Sequence, residues 1–229
     1  MPGRGVFIAG TDTGVGKTLI ACALLRGLTR YGLRAVGMKP VAAGAVRRRG
    51  VWLNDDVEQL RAAAGVDAPR SLINPYCFAP PVAPHIAARE ARVAVGLSLI
   101  ARSYVRLQAL SDVVVVEGVG GFLVPLGPRL SAAAIPARLD LPVLLVVGLR
   151  LGCLNHALLT VEAIQQRGLR LAGWIANAID PAMMRRAENL EALRRRVPAP
   201  LLGIVKNSRK ADADRVAQDL DIKRINAAI

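Results

Sequence analysis

The chain has 229 residues, 53% of them hydrophobic and 3% aromatic, which is typical of one folded domain with an aliphatic core and excludes a disordered chain. Lys and Arg number 31 against 17 Asp and Glu, so the formal net charge is +14 and a nucleic-acid-binding protein has to be considered. The basic residues are not interleaved with the aromatic residues that single-strand binding requires, so we favour small anionic ligands.

The predicted elements alternate between apolar strands and helices along the chain. A strand over Gly5–Gly10 leads into a glycine-rich loop, and Lys17–Gly32 has apolar residues at helical spacing, with Gly32 as its predicted C-cap. A second strand over Arg34–Pro40 is stopped by its proline. Further strands are predicted at Asp112–Gly118, Pro142–Gly148, Leu171–Asn177 and Pro200–Val205, with helices at Leu154–Arg167 and Met183–Arg196.

Uniformly apolar strands that alternate with helices predict an α/β fold. Its sheet is mainly parallel, with helices on both faces. Residues 1–229 are predicted to form a single P-loop NTPase-like domain, in which 211–229 is a C-terminal tail that can form a short helix. The proline-rich segment Asn74–Glu90 is expected to be an ordered loop.

Three cysteines and two histidines follow no metal-binding spacing, and we expect no structural zinc site. Few unpaired cysteines are typical of a reducing compartment. The first residues do not resemble a signal peptide, and the apolar run Leu141–Leu149 is too short to span a bilayer. We therefore expect a cytoplasmic protein without a membrane or nucleic-acid partner.

The stretch GTDTGVGKT, Gly10–Thr18, predicts a phosphate-binding loop. Five residues, rather than the usual four, separate Gly10 from the Gly-Lys-Thr triplet. A strand precedes the loop and a helix follows it, a context in which backbone N–H groups hold an anion. Lys17 is then expected at the β- and γ-phosphates and Thr18 at Mg²⁺. The alternative is a glycine-rich turn without a ligand.

Carboxylates that could face Mg²⁺ occur at two places. Glu117 ends a predicted strand, on the side of a parallel sheet where ligands collect. Asp55 and Asp56 begin a predicted helix, where either residue could instead be the N-cap. Spacing alone does not choose between these two aspartates.

Lys39 stands at the end of the second predicted strand, in the sequence GMKPVAAG. If its amine faces the phosphate loop, it can stabilise negative charge that develops during phosphoryl transfer. The equally weighted alternative is a solvated lysine at the end of a strand.

Together these motifs resemble the family of ATP-dependent dethiobiotin synthetases. The resemblance extends from about residue 6 to about residue 203, and EGVGG, KPV and LGCLNHALLT are more specific than the phosphate loop. The matching segments are GTDTGVGKT, GMKPVAAG, NPYCFAPPVAPHIAA, VVVVEGVGGFLVPL, LPVLLVVGLRLGCLNHALLT, LAGWIAN and VPAPLLG.

The resemblance implies an ATP-dependent cyclo-ligase of biotin biosynthesis. Its substrates are 7,8-diaminononanoate, CO₂ and ATP. A carbamate forms on one amine and is phosphorylated to a carbamic–phosphoric anhydride, and the second amine closes the ring to give dethiobiotin, ADP and phosphate. Such chemistry depends on positioning and charge neutralisation.

The resemblance also implies the roles of individual residues. Lys39 and Lys17 are catalytic, and Mg²⁺ is held by Thr18, Asp56 and Glu117, which selects Asp56 over Asp55. The expected ATP-binding residues are Gly14, Val15, Gly16, Lys17, Thr18, Leu19, Asp56, Glu117, Gly118, Val119, Gly120, Asn177, Ala178 and Lys206.

The implied diamine site includes a turn that a second subunit contributes, so a homodimer is expected. Arg150 stands where some members have Lys, Ala43 where some have Ser, and Asn189 where Tyr can occur. The segment Ile204–Lys210 lacks the usual Ile-Pro. The expected substrate residues are Lys39, Ala43, Arg150, Leu151, Gly152, Cys153, Leu154 and Asn155.

Three other classes of protein share some of these features. A partition or septum-positioning ATPase has a lysine early in the phosphate loop, whereas Thr11, Asp12 and Thr13 stand in that region here. An amidoligase carries an additional glutaminase domain, for which 229 residues leave no room. A nucleic-acid-binding module would be retained on DNA without ATP, in a salt-dependent manner.

Overall fold

The computed structural model describes residues 4–208 and 212–229. Arg209 and Lys210, at the end of the predicted Ile204–Lys210 loop, and Ala211, at the start of the predicted tail, lie outside the described residues. The strands are β1 Arg4–Gly10, β2 Ala35–Met38, β3 Val41–Ala43, β4 Val46–Arg48, β5 Val51–Leu53, β6 Tyr76–Phe78, β7 Val113–Glu117, β8 Val143–Gly148, β9 Leu171–Asn177 and β10 Leu201–Val205.

Helices connect these strands and cover both faces of the main sheet. The described part of the chain ends in two short helices joined by a 3₁₀ turn at Ala217–Asp219, as the predicted helical tail suggested. The helices are α1 Lys17–Arg30, α2 Asp55–Ala63, α3 Arg70–Ile73, α4 Pro84–Glu90, α5 Leu97–Gln108, α6 Ala134–Leu139, α7 Cys153–Gln165, α8 Arg186–Arg196, α9 Ala213–Val216 and α10 Ile222–Ala227.

The main sheet has six parallel strands in the order β10-β9-β8-β1-β7-β2. The predicted α/β fold with a parallel sheet is confirmed. After β1 the chain builds the part of the sheet on one side, β2 and β7, and it then passes to β8 on the other side of β1. The connections on the two sides diverge at β1, so a crevice opens beside the carboxyl end of this strand. Ligands of open α/β sheets bind at such a point, outside the carboxyl ends of the strands.

Alternating side chains of β1 supply both halves of the core. Phe7 and Ala9 pack into one apolar cluster, and Val6 and Ile8 pack into the other. Both sets are fully buried because helices cover each face of the sheet, which explains why the strands read as continuous apolar runs. The sheet is therefore a rigid support for the loops at its carboxyl edge.

The prediction that Asn74–Glu90 is only a loop is wrong. Tyr76–Phe78 forms β6, which pairs in parallel with β3, and Pro84 occupies the first turn of α4. A three-residue strand has too little periodicity to be read locally, and its partner lies more than thirty residues away. Proline in the first helical turn leaves no hydrogen bond broken, so this proline begins a helix rather than preventing one.

Two predicted helix ends also differ from the structure. The helix predicted from Leu154 begins one residue earlier, and the helix predicted from Met183 begins at Arg186. Gly32 follows α1 in the left-handed conformation, at φ 90°, where the amides of Gly32 and Leu33 donate to carbonyl groups of the last turn.

Within the described residues, no helix combines the length and the apolar character needed to cross a membrane.

Candidate active site

The phosphate loop joins β1 to α1 and depends on two glycines with positive φ. Gly14 and Gly16 have φ of 73° and 89°, which disfavour any side chain. A Cβ on Gly16 would lie 2.2 Å from Nδ2 of Asn177, which donates to the carbonyl of Val15 at 2.9 Å. No side chain caps α1, so the first amides of the helix remain available to an anion.

Lys17 is the first residue of α1, and its amine lies inside the loop. Its Nζ donates to the carbonyl oxygen of Asp12 at 2.9 Å. Burial, followed by the nearby positive charge of Lys39, lowers the pKa of Lys17 from 10.5 to about 8. The amine is thus close to the loop backbone and in an environment that favours the arrival of negative charge.

Three charged side chains meet at the carboxyl edge of the sheet. Nζ of Lys39 lies 2.5 Å from Oε1 of Glu117 and 2.8 Å from Oδ2 of Asp56. The hydroxyl of Thr18 donates to Oε1 of Glu117 at 2.8 Å. Lys39 and Glu117 are only 3% and 1% exposed, so the solvated-lysine alternative is wrong.

The charges in this cluster compensate one another. Burial alone would lower the pKa of Lys39, but the charges of Glu117 and Asp56 and their hydrogen bonds outweigh it and raise that pKa. Burial would raise the pKa of Asp56, but Lys39 above all, with Thr18 and Lys17, lowers it. The lysine is therefore protonated and the aspartate ionised at neutral pH.

Asp56 reaches this cluster because Asn54 caps α2. Oδ1 of Asn54 accepts from the amides of Asp56 and Val57 at 3.1 and 3.4 Å, and its Nδ2 donates to the carbonyl of Ala43 at 3.0 Å. The alternative that Asp55 or Asp56 is only the N-cap is wrong, since an asparagine just before Asp55 fills that role. The carboxylate of Asp56 is left free to face Lys39.

Asn74 fixes the backbone of Lys39. This buried side chain donates to the carbonyl of Lys39 at 2.6 Å and to that of Tyr76 at 3.0 Å, while the amide of Lys39 donates to the carbonyl of Ile73 at 2.8 Å. Sequence reasoning gave Asn54 and Asn74 no structural role. Both could have been recognised because each is an asparagine just before a helix or strand, a position at which its side chain commonly forms hydrogen bonds with the backbone.

A cavity of about 710 Å³ opens over these groups. One side carries the phosphate loop and the charged cluster, and the other is an apolar wall that includes residues 81–84, from one of the segments that match the family. The cavity is lined by Thr13, Gly14, Gly16, Lys17, Thr18, Lys39, Ala43, Asp56, Pro81, Val82, Ala83, Pro84, Glu117, Val119, Gly120 and Val124.

Other predicted site residues are not among those that line the cavity. Val15 is buried in the core, Leu19 packs against the core, and Gly118 lies so close to Phe7 that a Cβ would be 2.9 Å from its ring. Asn177 ends β9 and Ala178 follows it, and both are buried, whereas Lys206 follows β10 in an exposed position. Their predicted contacts with the nucleotide stay predictions.

The predicted substrate turn follows β8 at the same edge. Its residues do not line the cavity of the single chain, and Leu151 is 94% exposed. Gly152 has φ 93° and precedes α7, while Cys153 is buried as a packing residue. The guanidinium of Arg150 forms an ion pair with Asp12 of the phosphate loop.

Solved structures with the same architecture are P-loop ATPases. The septum site-determining protein MinD of Pyrococcus horikoshii, in complex with Mg-ADP, superposes with a TM-score of 0.61 at 16% identity, covering 98% of this chain and 95% of that one. A ParA family ATPase of Chlorobium tepidum superposes with a TM-score of 0.58 at 12% identity, covering 98% and 93%. A family profile described as an AAA domain matches residues 4–215. Fold and phosphate loop thus define a P-loop nucleotide-binding protein.

Sequence relatives are more specific. The ATP-dependent dethiobiotin synthetase of Aromatoleum aromaticum is 59% identical over 217 residues, which are 95% of this chain and 96% of that protein. The enzyme of the same name from Nitrosospira multiformis is 49% identical over 223 residues, 97% of each. The chain belongs to the ATP-dependent dethiobiotin synthetase family.

Proposed function

We propose that the chain makes dethiobiotin from 7,8-diaminononanoate, CO₂ and ATP in biotin biosynthesis. One amine adds to CO₂ and forms a carbamate. An oxygen of the carbamate attacks the γ-phosphorus of ATP and displaces ADP. The second amine then attacks the carbonyl carbon and closes the ring, and phosphate leaves with the former carbamate oxygen.

The observation that carries this proposal is the ion-pair cluster of Lys39, Glu117 and Asp56 beside the phosphate loop, in which Lys39 and Glu117 are buried. Nζ of Lys39 is 2.5 Å from one carboxylate and 2.8 Å from the other, at the floor of the cavity that the loop also lines. Two ammonium groups, those of Lys17 and Lys39, thus face one space. They can neutralise the carbamate and the transferring phosphoryl group without protein-bound intermediates.

The residues present fit a magnesium ion. Thr18, Asp56 and Glu117 offer oxygen ligands, the type that Mg²⁺ prefers. Oε2 of Glu117 is buried and has no hydrogen-bond partner among the described residues, which is costly unless a cation arrives. When bound with ATP, the ion would supply neutralisation of phosphate charge. The side chains of Thr18, Asp56 and Glu117 would hold it.

The remaining nucleotide contacts are assigned by family resemblance. We propose that the backbone of Gly14–Leu19 surrounds the phosphates and that Gly118–Gly120 lies along the nucleotide. Asn177 at the end of β9, the following Ala178, and Lys206 would contact the base side of the nucleotide. The position of Asn177 against the loop carbonyl of Val15 supports this, since it joins the end of β9 to the phosphate loop.

We propose that the diamine site is completed in a homodimer. The turn Leu151–Asn155 would bind the distant carboxylate of the substrate from a second subunit, while Ala43 and Lys39 contact the reacting end. Leu151 and Met184 are 94% and 83% exposed and follow the neighbouring strands β8 and β9. They support an interface on this side, because exposed apolar side chains that share one surface mark interaction sites. The small-molecule substrates make the cytoplasm the expected location.

The proposal is tested by phosphate release from MgATP, with and without the diamine and bicarbonate. We expect release to require all components and to match the dethiobiotin detected by mass spectrometry. Release that is indifferent to the diamine would leave the phosphate-loop function standing and reject the substrate. Retention on DNA without ATP would instead favour a nucleic-acid-binding protein.

A further inference from the structure

Asp12 makes three different contacts within the phosphate loop and beyond it. Its Oδ1 accepts from the amide of Thr13 at 2.7 Å, and its carbonyl oxygen accepts from Nζ of Lys17 at 2.9 Å. Its Oδ2 is paired with the guanidinium of Arg150. Asp12 therefore contacts the backbone of the phosphate loop, Lys17, and Arg150 in the connection that follows β8.

Arg150 reaches Asp12 because β8 and β1 are neighbouring parallel strands. Gly10 of β1 is paired with Val146 of β8, and the chain continues from both strands at the same edge of the sheet. The carbonyl of Arg150 also accepts from the amide of Cys153 at 3.0 Å, which closes the turn before α7. Its backbone thus shapes the substrate turn while its side chain fixes the nucleotide loop.

The nucleotide loop needs such a restraint. Gly14 and Gly16 hold the loop in a positive-φ conformation, and the backbone at Gly14 has open space around it, since a Cβ there would meet nothing within 4 Å. The side chains of Arg150 and Asp12 are 40% and 43% exposed, and ion pairs with that exposure add little to the stability of a fold. The effect of this pair should therefore appear in ligand binding rather than in unfolding.

We infer that Asp12 is a positioning residue that, through Arg150, couples the geometry of the phosphate loop to that of the substrate turn Leu151–Asn155. The inference deepens the proposed function and rests on it for the identity of the second ligand. Arg150 then acts through Asp12 and leaves the substrate carboxylate to the backbone of the turn. In the proposed homodimer this turn serves the partner's diamine site. A ligand that orders either loop favours the paired geometry of the other, so ATP in one subunit and the diamine in the partner's site should assist each other's binding.

The test compares Asp12→Asn, Arg150→Gln and the double variant by titration calorimetry. Asparagine retains the acceptor for the amide of Thr13 and removes only the charge that holds Arg150. Each single variant should weaken binding of a non-hydrolysable ATP analogue by roughly 3- to 10-fold and abolish its enhancement by the diamine. The double variant should be no weaker than either single one, since both break one interaction. Arg150→Lys should retain the coupling.

A matched control is available at the other end of the sheet. Arg34 and Asp112 form an ion pair of 2.9 Å away from the cavity, and Arg34→Gln and Asp112→Asn should leave ligand binding unchanged. KM and kcat are measured alongside. Positioning predicts a higher KM for both ATP and the diamine, while melting temperatures stay within a few degrees of the wild type.

Two results would overturn the inference. If the double variant loses affinity for the ATP analogue by the product of the two single-variant factors, Asp12 and Arg150 act independently. A higher diamine KM in Arg150→Gln alone, with Asp12→Asn unchanged, would show that Arg150 binds the substrate directly. Failure of the wild type to form dethiobiotin would reject the proposed function instead. The double-mutant cycle, measured by titration calorimetry with the ATP analogue, would still decide whether the two residues act as a pair.

Discussion

Lys39 and Glu117 form a buried ion pair at the floor of the cavity, with Nζ 2.5 Å from Oε1. Lys39 directly follows β2 and Glu117 ends the adjacent strand β7, and their preceding residues Met38 and Val116 are paired in the sheet. The sheet therefore sets their separation. Asp56 approaches the same ammonium from α2, so removal of the lysine leaves two carboxylates without their counter-ion.

Replacement of Lys39 by methionine should abolish dethiobiotin formation. The carbamate and the transferring phosphoryl group lose a positive charge that no neighbouring side chain replaces. The buried carboxylate of Glu117 is also left unpaired, which should lower the free energy of unfolding by about 3 kcal/mol. Urea denaturation and a product assay test both effects. Lys223→Met, at an exposed position of α10, is the control and should change neither.

The Lys39→Met variant should also respond to Mg²⁺ without nucleotide. With the ammonium gone, Asp56 and Glu117 repel each other, and Mg²⁺ can relieve that repulsion. We expect Mg²⁺ to raise the melting temperature of this variant by several degrees more than that of the wild type. The response should be lost when Glu117→Gln is added. Equal responses of wild type and variant would contradict the assignment of these carboxylates.

Substitution of Gly16 by alanine should abolish ATP binding. The backbone has φ 89°, and the new Cβ would lie 2.2 Å from Nδ2 of Asn177, so the loop must shift. Gly50→Ala is the matched control, because its φ is 81° but a Cβ there would meet nothing within 4 Å. Calorimetric titration with MgATP should give no signal for the first variant and wild-type affinity for the second.

Stability should rise with pH above about 8 because of Lys17. Burial, followed by Lys39, lowers the pKa of Lys17 to about 8 in the folded chain from 10.5. Between these values the unfolded chain binds more protons, so the free energy of unfolding increases as the pH rises. Lys17→Met should lack that increase and be up to about 3 kcal/mol more stable at pH 7. Urea denaturation of both proteins from pH 7 to pH 10 gives the difference.

Replacement of Leu151 by glutamate should separate the proposed dimer and reduce dethiobiotin formation at least tenfold. A charge buried at an interface core is costly unless it is paired. Val105→Glu, at an exposed apolar position of α5, is the control. Sedimentation velocity should show monomers for the first variant and dimers for the second. A monomeric wild type with full activity would refute the shared site.

Much of the fold could be predicted because the strands are continuous apolar runs and the phosphate loop marks the first connection. β1, β7, β8 and β9 were recognisable from their own residues. The pair formed by β3 and β6 was not, because each strand has three residues and depends on a distant partner. The hairpin Val46–Leu53 also escaped, since its exposed strands have no buried face to produce an apolar alternation.

Lys17 and Thr18 could be predicted because the phosphate-loop motif has one position for a lysine and one for the serine or threonine that follows it. Asp56 could not be separated from Asp55 by spacing, because the choice depends on the cap at Asn54. Lys39 was ambiguous because its burial follows from the position of Glu117 on the neighbouring strand. Asp12 and Arg150 are 138 residues apart in the sequence, and only the pairing of β1 with β8 brings them together.

The central claim is that a carbamate oxygen, which originates from CO₂, attacks the γ-phosphorus of ATP at this site. It is tested most directly by incubating the protein with MgATP, the diamine and freshly added ¹⁸O-bicarbonate in unlabelled water, and measuring the mass of the phosphate released. We predict that the phosphate carries ¹⁸O from the bicarbonate in proportion to the dethiobiotin formed. Unlabelled phosphate would show that water attacks ATP, and would contradict the account.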